Sequence, residues 1–396
     1  VTVVDLGMSP LCESYVPPAR FNAVEYFYPL RPVVCTSCWL VQLEEFVSAE
    51  DIFSDYAYFS SYSDTWVTHA REYVDLMIRR LPLGPGSRVI EVASNDGYLL
   101  QWFVKAGIPS LGVEPAANVA EAAEARGVPT LVRFFGAALA KELVADGVAD
   151  LVVANNVLAQ VPDLNDFLAG LRIVLAPEGV ATLEFPHLLR MLDEHQFDTI
   201  YHEHFSYFSA ASVDSALARH GLRLFDVDEL PTHGGSLRAY VCHADDRSKQ
   251  VEGAVGDILR RERAAGLFDV ARYERFASDV AETKRAILEL LIGLRRAGKR
   301  IVGYGAPGKG NTLLNYCGIR SDFIEFTVDR NTHKQGLYLP GTRIPIRDPS
   351  AIEATRPDYL FVLPWNLKDE ILSQMRHIRD WGGQFIIPIP HPQVIP

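Results

Sequence analysis

The sequence predicts an α/β protein with two doubly wound sheets and a small irregular module in front of them. Strand-like and helical patterns alternate over residues 88–185 and again over 300–388, and such alternation puts the strands in parallel with helices on both faces. The first sixty or so residues instead carry short apolar runs broken by Pro, Gly and Ser. A chain of 396 residues with 48% apolar content can fill two or three cores at roughly 100–200 residues each. The expected divisions are 1–64, 65–244 and 245–396.

Each element follows from its pattern. A helix is expected over 65–80, with apolar positions at Val67, Val74, Leu76 and Met77, ended by Gly84-Pro85-Gly86. Strands follow at 88–92, 110–113, 151–154 and 179–185, separated by helices at 99–106, from Asn118, and at 164–175. Residues 220–227 and 237–243 are further strand candidates that would close the same sheet. Two long charged helical patterns, 251–265 and 270–297, contain no Pro and read as a connector. Strands at 300–303, 323–328, 359–363 and 385–388, with a helix from Asn311, form the second sheet. No short repeat or low-complexity tract is evident.

Composition excludes several classes. Thirty-eight Lys and Arg stand against 50 Asp and Glu, a formal charge of -12, whereas binding to a phosphate polymer needs clustered cations, so no nucleic-acid partner is expected. No apolar run approaches the roughly 18–20 residues of a membrane span, and the N-terminus lacks the pattern of a secretory signal; a cytoplasmic protein without membrane contact is expected. Five irregularly spaced cysteines do not make a disulfide framework.

Val89-Ile-Glu-Val-Ala-Ser-Asn-Asp-Gly97 places Glu91 near a strand end, then a small-residue turn before a helix, a geometry that brings backbone N–H groups against a ligand. Glu114 ends the next strand, where a carboxylate can accept ribose hydroxyls, and one βαβ step separates the two acids. Ala93 stands where the first glycine of a G-x-G-x-x-G loop would be, which argues against a pyrophosphate. A nucleoside without phosphates, such as S-adenosylmethionine, fits better, held by Glu91, Ala93, Asn95, Gly97 and Glu114. Asn155 and Asn156 would reach it from the carboxyl end of a later strand; a helix N-cap explains them equally well.

Tyr201-His202-Glu203-His204-Phe205 packs two imidazoles, a carboxylate and a phenol together. In a helix Tyr201 and His204 share a face; in an extended loop His202 and His204 do. The spacing departs from H-E-x-x-H, and an imidazole base acting on carbon next to a ketone is favoured over a metal site or a purely structural role. Tyr56, Tyr58 and Ser60 lie in a phenol- and hydroxyl-rich stretch, where Tyr56 or Tyr58 could donate to an enolate oxygen. Gly303-Tyr-Gly305-Ala-Pro-Gly308-Lys309-Gly310-Asn311 follows a strand and opens a helix, and its bare amides with Lys309 could cradle a diphosphate of a nucleotide sugar or a dinucleotide. Cys35-x-x-Cys38 is half a tetrahedral zinc site, with two free thiols as the alternative.

Taken in order, these motifs resemble the sugar C-methyltransferases of deoxysugar antibiotic pathways; Val328-Asp-Arg-Asn331, Leu339-Pro-Gly341, Trp365-Asn366 and Ile387-Pro388 extend the likeness over essentially the whole chain. The resemblance implies a class I methyltransferase-like doubly wound sheet, a small zinc-binding-type N-terminal module and a second Rossmann-like C-terminal domain. It implies methyl transfer from S-adenosylmethionine to C3 of a dTDP-4-keto-deoxyhexose. His204 would be the base, Tyr201 and Glu203 would contact the sugar, and Ser60, Lys309 and Asn311 are expected at the substrate. Structural zinc would be held by Cys35 and Cys38 with a second Cys pair upstream of Asp5, which this sequence does not contain. Gln160 stands where the family often has His, and an amide can orient substrate or bind an oxyanion but cannot act as a base. A monomer or weak dimer is expected. The rival readings are an NADPH-dependent 4-ketoreductase, alone or combined with methylation, and a nucleotide-sugar-binding protein without turnover.

Overall fold

A computed structural model describes residues 1–53 and 59–396. Its middle sheet has seven strands: β1 (Val89–Val92), β2 (Ser110–Val113), β3 (Thr130–Leu131), β4 (Ala149–Asn155), β5 (Leu175–Pro186), β6 (Leu222–Leu230) and β7 (Ser236–His243). They lie in the order 3-2-1-4-5-7-6, all parallel except β7, which runs against both neighbours. Successive side chains of β1 and β4 enter opposite layers, as the two-residue strand period requires. Ile90, Val152 and Ala154 pack with Phe167 and Leu171, whereas Val89, Leu151 and Val153 pack with Tyr73 and Phe103. Helix α1 (Asp64–Arg80) covers the second face; the Ser63 hydroxyl caps it by accepting the Trp66 N–H.

The C-terminal sheet has the order 10-9-8-11-12-13, with β8 (Ile301–Tyr304), β9 (Thr327–Val328), β10 (Ile346–Arg347), β11 (Tyr359–Val362) and β12 (Gln384–Ile387) parallel and β13 (Gln393–Ile395) antiparallel at the edge. The expected strand at 323–328 shortens to two residues. The expected connector is a core element: helix α2 (Val270–Arg296) buries Tyr273, Phe276, Val280, Thr283, Ile287 and Leu291 along one stripe. That stripe joins the hydrophobic cluster under β8, together with Leu188, Leu192 and Ile200 from the segment after β5.

The N-terminal residues do not form a core of their own. Val3, Val4, Leu6, Leu30, Val34 and Val41 belong to that same C-terminal cluster. Strand Val41–Gln42 pairs with Val33–Val34 on one side and with Ser206–Tyr207 on the other, just past the Tyr201–Phe205 segment. A bridge between Val16 and Tyr338 ties the module to the C-terminal sheet. Among the described residues, no helix is long and apolar enough to cross a membrane.

Candidate active site

A cavity of about 730 Å³ opens between the carboxyl ends of the middle sheet and the loop after β8. Glu114, Asn155 and Asn156 line it from one side, Tyr201 and His204 from the second, and Lys309 from the third. Ser60, Ala93, Asn95, Gln160 and Glu203 also face it. Tyr56 and Tyr58 lie outside the described residues.

The turn after β1 is held in a conformation that costs energy for ordinary residues. Ala93, Asn95 and Gly97 have φ of 55°, 50° and 75°, and Asn156, which follows β4, has 57°. Left-handed backbone at non-glycine positions is disfavoured by Cβ sterics and concentrates at binding sites. Ala93 thus adopts the backbone a glycine would supply. Glu114 accepts the backbone N–H groups of Asn95 and Ala116, both at 2.9 Å, which fixes its carboxylate against the turn. The Asn95 side chain in turn accepts the Ser60 N–H at 2.8 Å, laying Ser60 over the turn.

Glu91 is buried beneath this floor and does not line the cavity; neither of its oxygens has a hydrogen-bond partner among the described residues. Burial first, and then the neighbouring Glu114 and Asp96, push its carboxyl well above the usual range. Both side-chain polar atoms of Asn155 and of Asn156 are likewise buried and unpartnered. Buried polar groups are ordinarily satisfied, so this set of donors and acceptors fits a polar nucleoside such as S-adenosylmethionine. Gly97 is away from the cavity wall. A Cβ there would meet Val128 Cγ2 at 3.0 Å and Ala123 Cβ at 3.2 Å, so its glycine serves the turn and the close approach of the neighbouring helix.

The 201–205 segment is a turn: the His204 N–H donates to Tyr201 O at 2.9 Å. Tyr201 and His204 therefore share a side, with ring centroids 4.1 Å apart. His202 leaves in another direction, its Nε2 donating to Pro29 O at 3.1 Å. His204 Nδ1 lies 3.0 Å from Thr199 O, and a carbonyl only accepts, so Nδ1 carries the proton and Nε2 keeps the ring's lone pair. Burial lowers the His204 pKa to about 3. Glu203 accepts the buried Cys12 thiol of the N-terminal module at 3.3 Å.

The glycine loop after β8 is filled from outside. A Cβ at Gly305 would strike Pro364 at 2.6 Å, and one at Gly308 would strike Cys12 Sγ at 2.9 Å. Asp329 takes the Ala306 N–H at 2.7 Å and the Asn331 N–H at 2.8 Å, closing the loop on itself. Lys309 reaches the cavity, its ammonium bonded to Asn366 Oδ1 at 2.9 Å. Asn311, expected at the substrate, is buried off the cavity and donates to Cys12 O at 2.6 Å, a tie between module and helix α3 (Gly308–Cys317).

Cys35 and Cys38 sit on the turn between the two short N-terminal strands, where the Trp39 N–H donates to Cys35 O. Hydrogen bonds from the backbone of Cys38 and Ser37 lower the Cys35 thiol to about 7. Among the described residues no group of three or more His, Cys, Asp and Glu is placed to hold a metal. These two thiols alone do not complete a four-ligand zinc site.

Several wall residues escaped sequence reasoning. His69 Nε2 donates toward both oxygens of Glu184, at 3.0 and 3.1 Å, and Arg238 pairs with the same buried carboxylate at 3.0 Å. Thr232 Oγ1 adds a bond to it at 3.1 Å. His233 lies beside that anchor on the cavity wall. The signal available was Thr232-His-Gly-Gly235 between two expected strands, a loop that the topology carries to the ligand-binding edge.

Sheet and site together define a class I S-adenosylmethionine-dependent methyltransferase. Family models match along the whole length: a "Putative zinc binding domain" over residues 1–53, a methyltransferase domain over 66–227 and a C-methyltransferase C-terminal domain over 231–390. The chain is 38% identical to the C-methyltransferase NovU of Streptomyces niveus over 394 residues, 99% of this chain and 94% of that protein, and it belongs to the deoxysugar C-methyltransferase family. Among solved structures, magnesium protoporphyrin IX methyltransferase from Synechocystis PCC 6803 is 16% identical over 46% of this chain and 82% of its own, with a TM-score of 0.35. An S-adenosylmethionine-dependent methyltransferase from Archaeoglobus fulgidus is 15% identical over 43% and 94%, with a TM-score of 0.33.

Proposed function

We propose that this enzyme methylates C3 of a dTDP-4-keto-deoxyhexose through an enolate, with His204 as the base. The observation that carries the reading is the shared cavity: Asn155 and Asn156, without side-chain partners among the described residues, and the Glu114 carboxylate stand on one wall, and an imidazole whose Nε2 keeps the lone pair stands on another. Bound S-adenosylmethionine supplies an electrophilic methyl group on a sulfonium. Glu114 would hold its ribose hydroxyls; Asn95, Asn155 and Asn156 would complete its polar contacts, with the Glu91 carboxyl beneath.

His204 Nε2 takes the proton from C3 of the sugar, made acidic by the C4 ketone, and the C–H electron pair passes through C3–C4 onto the ketone oxygen. The pair returns as C3 bonds to the methyl carbon, and the carbon–sulfur pair stays on sulfur. The proton leaves His204 for solvent. Tyr201 and Glu203 orient the sugar, Gln160 can donate to an oxygen, and Lys309 faces the anionic diphosphate. Holding the two reactants in line in one cavity supplies much of the acceleration, up to roughly 7–11 kcal/mol for well-aligned partners.

We further propose the unit boundaries 1–64, 65–244 and 245–396, a cytoplasmic monomer or weak dimer, and zinc only where two further ligands join Cys35 and Cys38. The test is transfer of label from methyl-labelled S-adenosylmethionine to a dTDP-4-keto-6-deoxyhexose. Labelled C3 supports the reading; an unlabelled sugar across a panel of such substrates refutes it.

A further inference from the structure

His233 is a half-buried imidazole on the wall of the same cavity as His204 and Lys309. Its Nε2 is shut off from solvent and has no hydrogen-bond partner among the described residues. Neighbouring contacts hold the ring in place. Its edge meets the Trp66 ring at 5.0 Å, and Thr232 before it is bonded to the Glu184 carboxylate. Ser236 Oγ donates to Thr232 O at 2.9 Å, pinning the other end of the loop. The backbone at His233 is left-handed, φ 55°, followed by Gly234 and Gly235 at 91° and 115°. A bulky residue kept in that conformation, with a ring nitrogen left unsatisfied, is the kind of strain that clusters at reacting centres.

We propose that His233 is a catalytic residue: its ring N–H donates a hydrogen bond to the ketone oxygen of the bound sugar and stabilises the negative charge that develops there. The assignment rests on the enolate reading above. It answers a need in that chemistry. Burial, and after it the nearby His233 and Lys309, disfavour protonation of His204 more than its bond to the Thr199 carbonyl favours it, so it is a weak base. A weak base removes a carbon-bound proton only if the enolate oxygen is strongly stabilised. Gln160 offers at most an amide donor at the position where the resemblance leads one to expect an imidazole. Burial lowers the His233 pKa to about 4, so the ring stays neutral and donates an N–H without first losing a charge.

The test is exchange of the sugar C3 hydrogen with deuterated solvent, using a dTDP-4-keto-6-deoxyhexose with S-adenosylhomocysteine in the donor site. His233→Phe and His233→Gly should each slow exchange by about 10²–10³-fold, the range for loss of one oxyanion donor. Gly accepts the left-handed backbone, so the second variant retains the loop, and added imidazole should restore part of its exchange. Cofactor affinity by calorimetry should be unchanged in both. Exchange at the wild-type rate in His233→Gly, or a loss that tracks a fall in cofactor affinity, overturns the assignment. No exchange by the wild-type enzyme refutes the enolate reading itself, and this role with it.

Discussion

Replacing His204 by Asn tests the base and its environment together. The imidazole is buried with a pKa of about 3, against an ordinary value of about 6.5. Between those values the unfolded chain binds a proton that the folded chain does not, so this group makes stability fall as pH falls. The slope approaches 1.4 kcal/mol per pH unit for one proton, and from about pH 7 to about pH 5 it sums to about 2 kcal/mol. His204→Asn removes that dependence. Urea unfolding of both proteins at the two pH values should show the wild type losing about 2 kcal/mol more than the variant on acidification. Turnover of the variant should drop about 10²–10⁴-fold, as for loss of a general base, with S-adenosylmethionine affinity nearly intact. Identical acid sensitivity of the two proteins would mean that the ring is solvated or charged in the fold, and undiminished turnover would remove it from the chemistry.

Glu114→Ala should weaken cofactor binding about 10–150-fold, the loss of one charged hydrogen bond worth about 1.5–3 kcal/mol; calorimetry showing no change rejects its ribose role. Gly97→Ala places a Cβ at φ 75° and 3.0 Å from Val128, and should cost about 1–3 kcal/mol in chemical denaturation; an unchanged midpoint would show that the turn relaxes. Glu184→Gln breaks a buried carboxylate's bonds to Arg238, His69 and Thr232 and should cost about 3–5 kcal/mol, read the same way; a loss under about 1 kcal/mol would show that the network is not a structural anchor.

The middle sheet was legible because its evidence is local. Alternate residues of β1 and β4 feed two apolar layers, and that requirement leaves continuous buried strands in the sequence. The turn residues Ala93, Asn95 and Glu114 were legible for a similar reason, since one βαβ step fixes their relation. What stayed hidden depends on distant chain. His69 reads as one more polar position on an amphipathic helix until its partner arrives 115 residues later. Glu184 reads as an interruption in an apolar strand. Asn311 looked like part of a ligand-binding loop, but Cys12, 299 residues away, claims its side chain. The charged face of α2 was visible, whereas its buried stripe gained meaning only from the segment at Leu188–Ile200 that packs there.

The turn carrying His204 is gripped by neighbours outside its own sheet. Thr312 of α3 donates to Ile200 O at 3.0 Å, while strand Val41–Gln42 aligns Ser206–Tyr207. Excising the middle third of the gene would therefore yield a fragment that keeps its sheet but loses the partners that hold the His204 turn in place. Swapping donor-binding halves between relatives should be tolerated only when the flanking pieces travel with the turn.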